Sequence, residues 1–408
     1  MQFQFKDTEF LVEEITSKGN LIKINEPFTE EEKPGEFIHF AMQKTNWTTA
    51  DAIKQIAKKI RAGSQRFNWA GTKDRNATTT QLVSCFGKSA LEPLKNLDVK
   101  DIKILGIWTA NKKIKLGDLK GNRFTITLTK TNCQTNEINP EKIETKLKEL
   151  NNFTPNYFGA QRFGIRNNSH KVGEYILKGE VDKAVWEILV GSPDAETNEI
   201  AKLARSKLNT HKDFALAYEE FPRHLHLERD LLAYLKNHPN DFIGAFRKLQ
   251  RQSLLIFVHA FQSALFNQLL QSRIKEEKTF QLDENTLVCE LDEFGFPNED
   301  KTTIVTNENK TRLEKEFKEG KIVPLDALIG SETKLNPLQK ELLTTHNVTQ
   351  EMFKLPAIPE LATKGSLKPR LVKITNFAIL QKEPLKLQFT LPSGAYATTV
   401  IEQLIEQK

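Results

Sequence analysis

One carboxylate, Asp74, stands between two cations, Lys73 and Arg75, in the run Phe67-Asn68-Trp69-Ala70-Gly71-Thr72-Lys73-Asp74-Arg75-Asn76-Ala77-Thr78-Thr79-Thr80-Gln81. Most of its neighbours are small or hydroxylated. Cations beside a carboxylate favour its ionised form. A positioned, ionised carboxylate serves as a nucleophile or as a general base. A Lys-Asp-Arg turn is equally the composition of a solvated surface loop, and charge pattern alone favours that plainer reading.

The elements that would hold Asp74 are readable from patterning. Phe67 and Trp69 before it, and Leu82 and Val83 after it, describe a strand entering a Gly turn with the carboxylate at its mouth. Phe10 to Ile15 and Glu36 to Gln43 read as strands. Thr49 reads as the N-cap of a helix with Ile53, Ile56, Ala57 and Ile60 on one face, and Gly63 as its end. Arg123 to Lys130 alternates Phe124, Ile126 and Leu128 with threonines, the period of a strand. A helix is expected from Pro140 to Leu150, with proline in its first turn. Asn151 to Asn156 is then a break.

The middle third reads as helical, interrupted near Pro193, Pro222 and Pro239. Short strands and turns follow over 278–335. Leu361 to Arg370 is a polar connector. Strands at Leu371–Ile374 and Leu385–Leu391 and a helix from Ala397 close the chain. Gln252 to Ser272 is long and uncharged, but it carries several amides and repeats its apolar residues at helical spacing. The pattern points to a buried helix rather than a membrane span.

Composition narrows the function classes. The chain has 408 residues, enough for two or three domains, with a net charge of +6 and a pI near 8.9. That is a moderate bias toward polyanionic partners. Cys85, Cys133 and Cys289 show no metal or disulfide spacing and fit a reducing cytosol. His224 and His226 lack nearby residues to complete a metal site. The N-terminus has no apolar signal-peptide core, so a cytoplasmic location is expected.

The run around Asp74 resembles the active-site signature of the TruD family of tRNA pseudouridine synthases, G-x-K-D-x-x-A-x-T-x-Q. Five further stretches resemble motifs of that family, in its order. They are Glu9-Phe10-Leu11-Val12-Glu13-Glu14, with Glu for the usual Asp; Gly121-Asn122-Arg123-Phe124; Pro155 to Gly164; His259 to Asn267; and Leu391 to Val400. The resemblance spans nearly the whole chain. It implies an α+β fold: a pseudouridine-synthase catalytic domain with a mixed, mainly antiparallel sheet from residues 1–151 and 370–408, interrupted by a mostly helical α+β insertion at 152–369. It implies an isomerase that converts uridine, at position 13 in the D-arm of tRNA, to pseudouridine.

By the same resemblance Asp74 is the essential carboxylate, as nucleophile or as base toward the sugar. Phe124 is expected to stack on the uracil, although its place on an alternating strand equally suits the core. Asn122 is expected to hold the turn or the Asp loop. Lys73, Arg75 and Arg162 are further substrate-binding candidates, and Lys44 is expected near the phosphate path. Tyr157, Phe158, Arg162, Phe163 and Arg166 suit an RNA surface or a hinge alike. The family's usual basic partner for the Asp falls near Gln4, which leaves Lys6, Lys73 or Arg75 for that part. No cofactor or metal is expected. The expected partner is tRNA, with other structured RNAs open, no membrane and no obligate protein partner. The rival reading is a non-catalytic RNA-binding or RNA-folding protein on the same scaffold.

Overall fold

Apolar alternation in the two ends of the chain builds one sheet. The computed structural model describes residues 3, 5–129, 132 and 139–405; Gln4, Lys130 and Cys133 lie outside them. Eight strands form the main sheet: β1 Phe10–Thr16, β2 Phe37–Thr45, β3 Phe67–Trp69, β4 Thr78–Phe86, β5 Ile102–Ala110 and β6 Leu119–Leu128, then, far along the chain, β13 Thr375–Lys382 and β14 Leu385–Pro392. Their order is β13-β14-β6-β1-β4-β2-β5, with β3 also on β4. Only β1 and β4 pair in parallel; every other pairing in this sheet is antiparallel. The fold is α+β, as expected.

Between β6 and β13 the chain leaves the sheet and returns. Two short strands, β7 Phe153–Pro155 and β12 Leu371–Lys373, pair with each other at the point of departure and return. The chain between them carries a helical block and a four-stranded antiparallel sheet. That sheet comprises β8 Leu287–Leu291, β9 Pro297–Ile304, β10 Ile322–Leu328 and β11 Ser366–Pro369, in the order β11-β10-β8-β9.

The helix Arg251–Lys275 runs through the helical block. It is long and apolar enough to cross a membrane, but Phe261 to Phe266 are buried in succession. Six buried residues in a row enclose the helix on every side, so protein rather than lipid surrounds this stretch.

Local signals placed most elements within a residue or two. The first helix is Thr49–Lys59, but its N-cap is Thr48, whose hydroxyl accepts from the Asp51 amide. It ends at Ile60, before Gly63, because Arg61 takes the left-handed conformation itself. β6 begins at Leu119 rather than Arg123, because β1 and β14 pair with it as far as Leu119 and Gly121 respectively. The region 278–335 also contains a helix, Lys310–Lys318, and the polar connector contains β11, whose neighbour β10 supplies the pairing that its own sequence does not signal.

One face of the main sheet carries two separate cores. At one end, Ile38, Phe40, Met42, Val83 and Cys85 pack on the Thr49–Lys59 helix. At the other, Phe124, Ile126, Leu128, Leu387 and Phe389 pack on the helices Pro140–Glu149 and Ala397–Ile405. Side chains two apart on a strand share a face. One row across this face therefore reads Lys44, Thr79, Val12, Phe124, Phe389, and the next carries Met42, Gln81, Glu14, Asn122 and Leu391. Between the two apolar cores lies a strip of polar side chains: Lys44, Thr79, Gln81, Glu14 and Asn122.

Candidate active site

The loop between β3 and β4 carries Asp74, and the polar strip ties it down. The Thr49 hydroxyl donates to Gln81 Oε1 (2.9 Å) and accepts the Lys73 amide (3.0 Å), while Gln81 Nε2 donates to the Gly71 carbonyl (3.2 Å). Lys73 turns down into the sheet. Its Nζ lies 2.6 Å from Glu14 Oε2, both side chains almost wholly buried. Glu14 has a second duty: its Oε1 accepts the Leu82 amide (2.8 Å). The β1–β4 register runs to Thr80 and the β3–β4 register starts at Val83, so a carboxylate fills the break in backbone pairing.

Lys44, on β2, reaches the loop from below. Its side chain has no exposed surface, and its Nζ donates to the Asp74 carbonyl at 2.8 Å. Burial pulls its pKa down to about 8; the Asp74 charge works against that fall and Lys73 adds to it. Lys44 therefore supports the Asp loop and does not line an exposed phosphate path in this structure. Lys6 is exposed, and its amide contacts its near neighbour Glu9. The cation in contact with the Asp74 backbone is Lys44, which the sequence reading had placed elsewhere.

The Asp74 side chain is half-buried, and Arg75 beside it is exposed. The far wall of the site comes from the middle of the chain. Gln161 Nε2 donates to Asp74 Oδ1 at 2.9 Å. Arg162 donates through Nε to Ser263 Oγ (3.0 Å) and lies 5.6 Å from the Phe158 ring centre. Phe158 meets Phe266 edge-on and Tyr396 at 6.1 Å, with Lys368 Nζ 4.6 Å from its centre. Burial, and after it the Arg162 charge, lower Lys368 to about 8. Burial raises the Tyr396 phenol, Arg162 lowers it, and Asp74 raises it. Tyr396 thus shares the electrostatic environment of Asp74. A Cβ at Gly159 would meet the Tyr396 ring at 2.8 Å, so glycine permits this close approach.

The remaining expected site residues are distributed as follows. Asn122 sits in the strip beside Glu14, and its buried Oδ1 has no hydrogen-bond partner. Phe124 is 6% exposed, with ring centres 6.1 Å from Phe10 and 5.8 Å from Phe389. Here it forms part of the sheet core and offers no open face to a base. Arg166 serves the fold: its guanidinium donates to the carbonyls of Glu187, Ile188 and Val190 at the end of a helix. The structure thus brings Asp74, Lys73, Lys44 and Arg162 around one site and leaves Arg166 outside it.

Gln161 and Tyr396 are not among the expected site residues, and Thr49 is expected only as a helix cap. Gln161 and Tyr396 lie within motif-bearing stretches, but no local pattern ties position 161 or 396 to position 74. Among the described residues, no group of three or more His, Cys, Asp or Glu is arranged to hold a metal ion. His226 opens the helix His226–Leu235 and is exposed. Cys85 and Cys289 are buried and in no disulfide.

The comparisons with known proteins point to one family. The family profile described as tRNA pseudouridine synthase D (TruD) matches residues 1–404. A probable tRNA pseudouridine synthase D of Methanosarcina acetivorans is 31% identical over 98% of this chain and 91% of its own. A probable tRNA pseudouridine synthase D 1 of Methanocaldococcus jannaschii is 32% identical over 98% and 94%. The crystal structure of a putative TruD from Methanosarcina mazei superposes with a TM-score of 0.75 at 30% identity, covering all of this chain and 94% of that one. With a family profile that runs almost from end to end and a solved relative of the same fold, this chain belongs to the tRNA pseudouridine synthase D family.

Proposed function

We propose that this protein is a tRNA pseudouridine synthase, with Asp74 as its essential carboxylate and the uridine at position 13 of the D-arm as its target. The observation that carries the reading is the setting of Asp74. Its loop is anchored by a buried ion pair and by Lys44, while its carboxylate stays half-exposed and meets a wall from a distant part of the chain. A loop that only bound RNA would not need a carboxylate held in this way, facing phosphates.

The reaction breaks the N1–C1′ bond of uridine, turns the base over and joins C5 to C1′. Either a nucleophilic route or proton removal from the sugar needs an ionised carboxylate beside C1′ or C2′. The uridine must leave its stack to reach Asp74. The proposal also takes residues 1–151 with 370–408 as the catalytic part and 152–369 as the insertion. In support, every strand of the main sheet comes from the first two ranges, and β7 and β12 pair where the chain departs and returns. A cytoplasmic site of action goes with a tRNA substrate.

The test is to map pseudouridine in unmodified tRNA after incubation with the pure protein. The expected result is a single new pseudouridine, at position 13. Asp74→Asn should form none while binding tRNA within a few-fold of wild type, since binding is spread over many phosphate contacts. Tight binding with no pseudouridine from the wild-type protein would return the chain to the RNA-binding reading.

A further inference from the structure

Asp74 does not face the solvent alone, and the residue that meets it is held with some care. Asn267, on the Arg251–Lys275 helix, grips the backbone of Phe158 at two points. Its Nδ2 donates to the Phe158 carbonyl and its Oδ1 accepts the Phe158 amide, both at 2.9 Å. Four residues earlier on the same helix, Ser263 Oγ accepts from Arg162 Nε at 3.0 Å. Positions i and i+4 lie on one face of a helix, so Phe158 and Arg162 are pinned to adjacent turns of one rigid element. Gly159, between these pins, passes so close to Tyr396 that a Cβ there would meet its ring at 2.8 Å. Gln161 projects from this pinned segment. Its side chain is exposed, yet its Nε2 lies 2.9 Å from Asp74 Oδ1.

We propose that Gln161 is a positioning residue for the reacting carboxylate, and that Asn267 positions Gln161 through the Phe158 backbone. A carboxylate is free to rotate about its last torsion, and its two oxygens are otherwise equivalent. A donor fixed on Oδ1 removes that freedom and leaves Oδ2 for the reacting carbon. A glutamine suits the task because its amide donates without adding a charge beside Asp74. The main-sheet part of the site is then incomplete without the helix of the middle segment. This inference rests on the reading of Asp74 as the reacting group, and Asp74→Asn in the same assay reports on that reading separately.

The experiment measures single-turnover pseudouridine formation, tRNA affinity and melting temperature for Gln161→Ala, Gln161→Glu, Asn267→Ala and the double variant Gln161→Ala/Asn267→Ala. Gln161→Ala removes an exposed side chain, so it should melt as the wild type does. Its rate should fall about 10- to 150-fold, the range that loss of a hydrogen bond to a charged group supports, with affinity unchanged. Gln161→Glu sets two carboxylates together, and one of them then holds a proton to a higher pH. That variant should lose rate at a distinctly lower pH than the wild type does, and regain it only as the pH falls toward about 6. The double variant should be no slower than the slower single variant, because both act on one contact. Wild-type or faster turnover by Gln161→Ala, a wild-type pH profile for Gln161→Glu, or independent losses that multiply in the double variant would each overturn the proposal, even with Asp74→Asn inactive.

Discussion

Lys44 Nζ lies 2.8 Å from the carbonyl oxygen of Asp74, on a side chain with no exposed surface. The contact spans thirty residues of sequence. It sets a cation under the Asp74 backbone and keeps it out of reach of solvent.

A pH dependence follows from that burial. Lys44 titrates near 8 in the fold, below its ordinary value of 10.5. Between these values the unfolded chain holds a proton that the folded protein has released, so this group's contribution to stability rises with pH across that window. The charge-assisted hold on the Asp74 loop is lost in the same window. Pseudouridine formation should therefore decline as the pH passes about 8, while melting temperature gains a rising contribution from this residue. Lys44→Met should remove that decline and slow turnover about 10- to 150-fold at neutral pH. Persistence of the decline in Lys44→Met would assign it to another group.

Breaking the Lys73–Glu14 pair should cost the fold far more than breaking a surface ion pair. Its two side chains are 4% and 0% exposed. Removing one partner leaves the other charged and buried, at a cost of about 3–5 kcal/mol. Lys73→Met and Glu14→Gln should each lose roughly that much in urea unfolding, and the double variant should recover part of the loss. Single variants within about 1 kcal/mol of wild type would show that water reaches the pair.

Phe124 is placed to report on the core. Phe124→Ala should lower stability by about 3–5 kcal/mol, the range for an aromatic residue removed from a packed interior. Phe124→Leu keeps much of the volume, and it should melt near the wild type with turnover little changed per folded molecule. A normal melting temperature with a severely slowed single turnover would instead place the ring against the uracil.

Isomerisation of uridine oxidises nothing and transfers no group from a donor. Exhaustive chelation, in enough monovalent salt to keep the tRNA folded, should leave activity intact. Loss of activity that zinc alone restores would contradict this. Magnesium rescue would be traced to the RNA by probing its folding in the same buffer.

Much of this protein is legible in its sequence because the relevant forces are local. Period-two alternation over Phe124 to Leu128 marks a strand wherever it sits, and Pro140 opens a helix for steric reasons carried by the residue itself. The run around Asp74 is contiguous, so its chemistry is written in one place. β11 was not legible, because its pairing partner and not its own composition makes it a strand.

The surroundings of Asp74 were decided by the tertiary structure alone. The two cations that flank Asp74 part company: Lys73 goes down to Glu14, and Arg75, where the chain begins to bend, goes out to solvent. The ammonium that reaches Asp74 comes from β2, and the amide that meets its carboxylate comes from residue 161, eighty-seven positions away. No sequence spacing encodes such contacts. They exist because strand register places Lys44 beside Thr79 under the loop, and because Asn267 and Ser263, one helical turn apart, hold Gln161 over it.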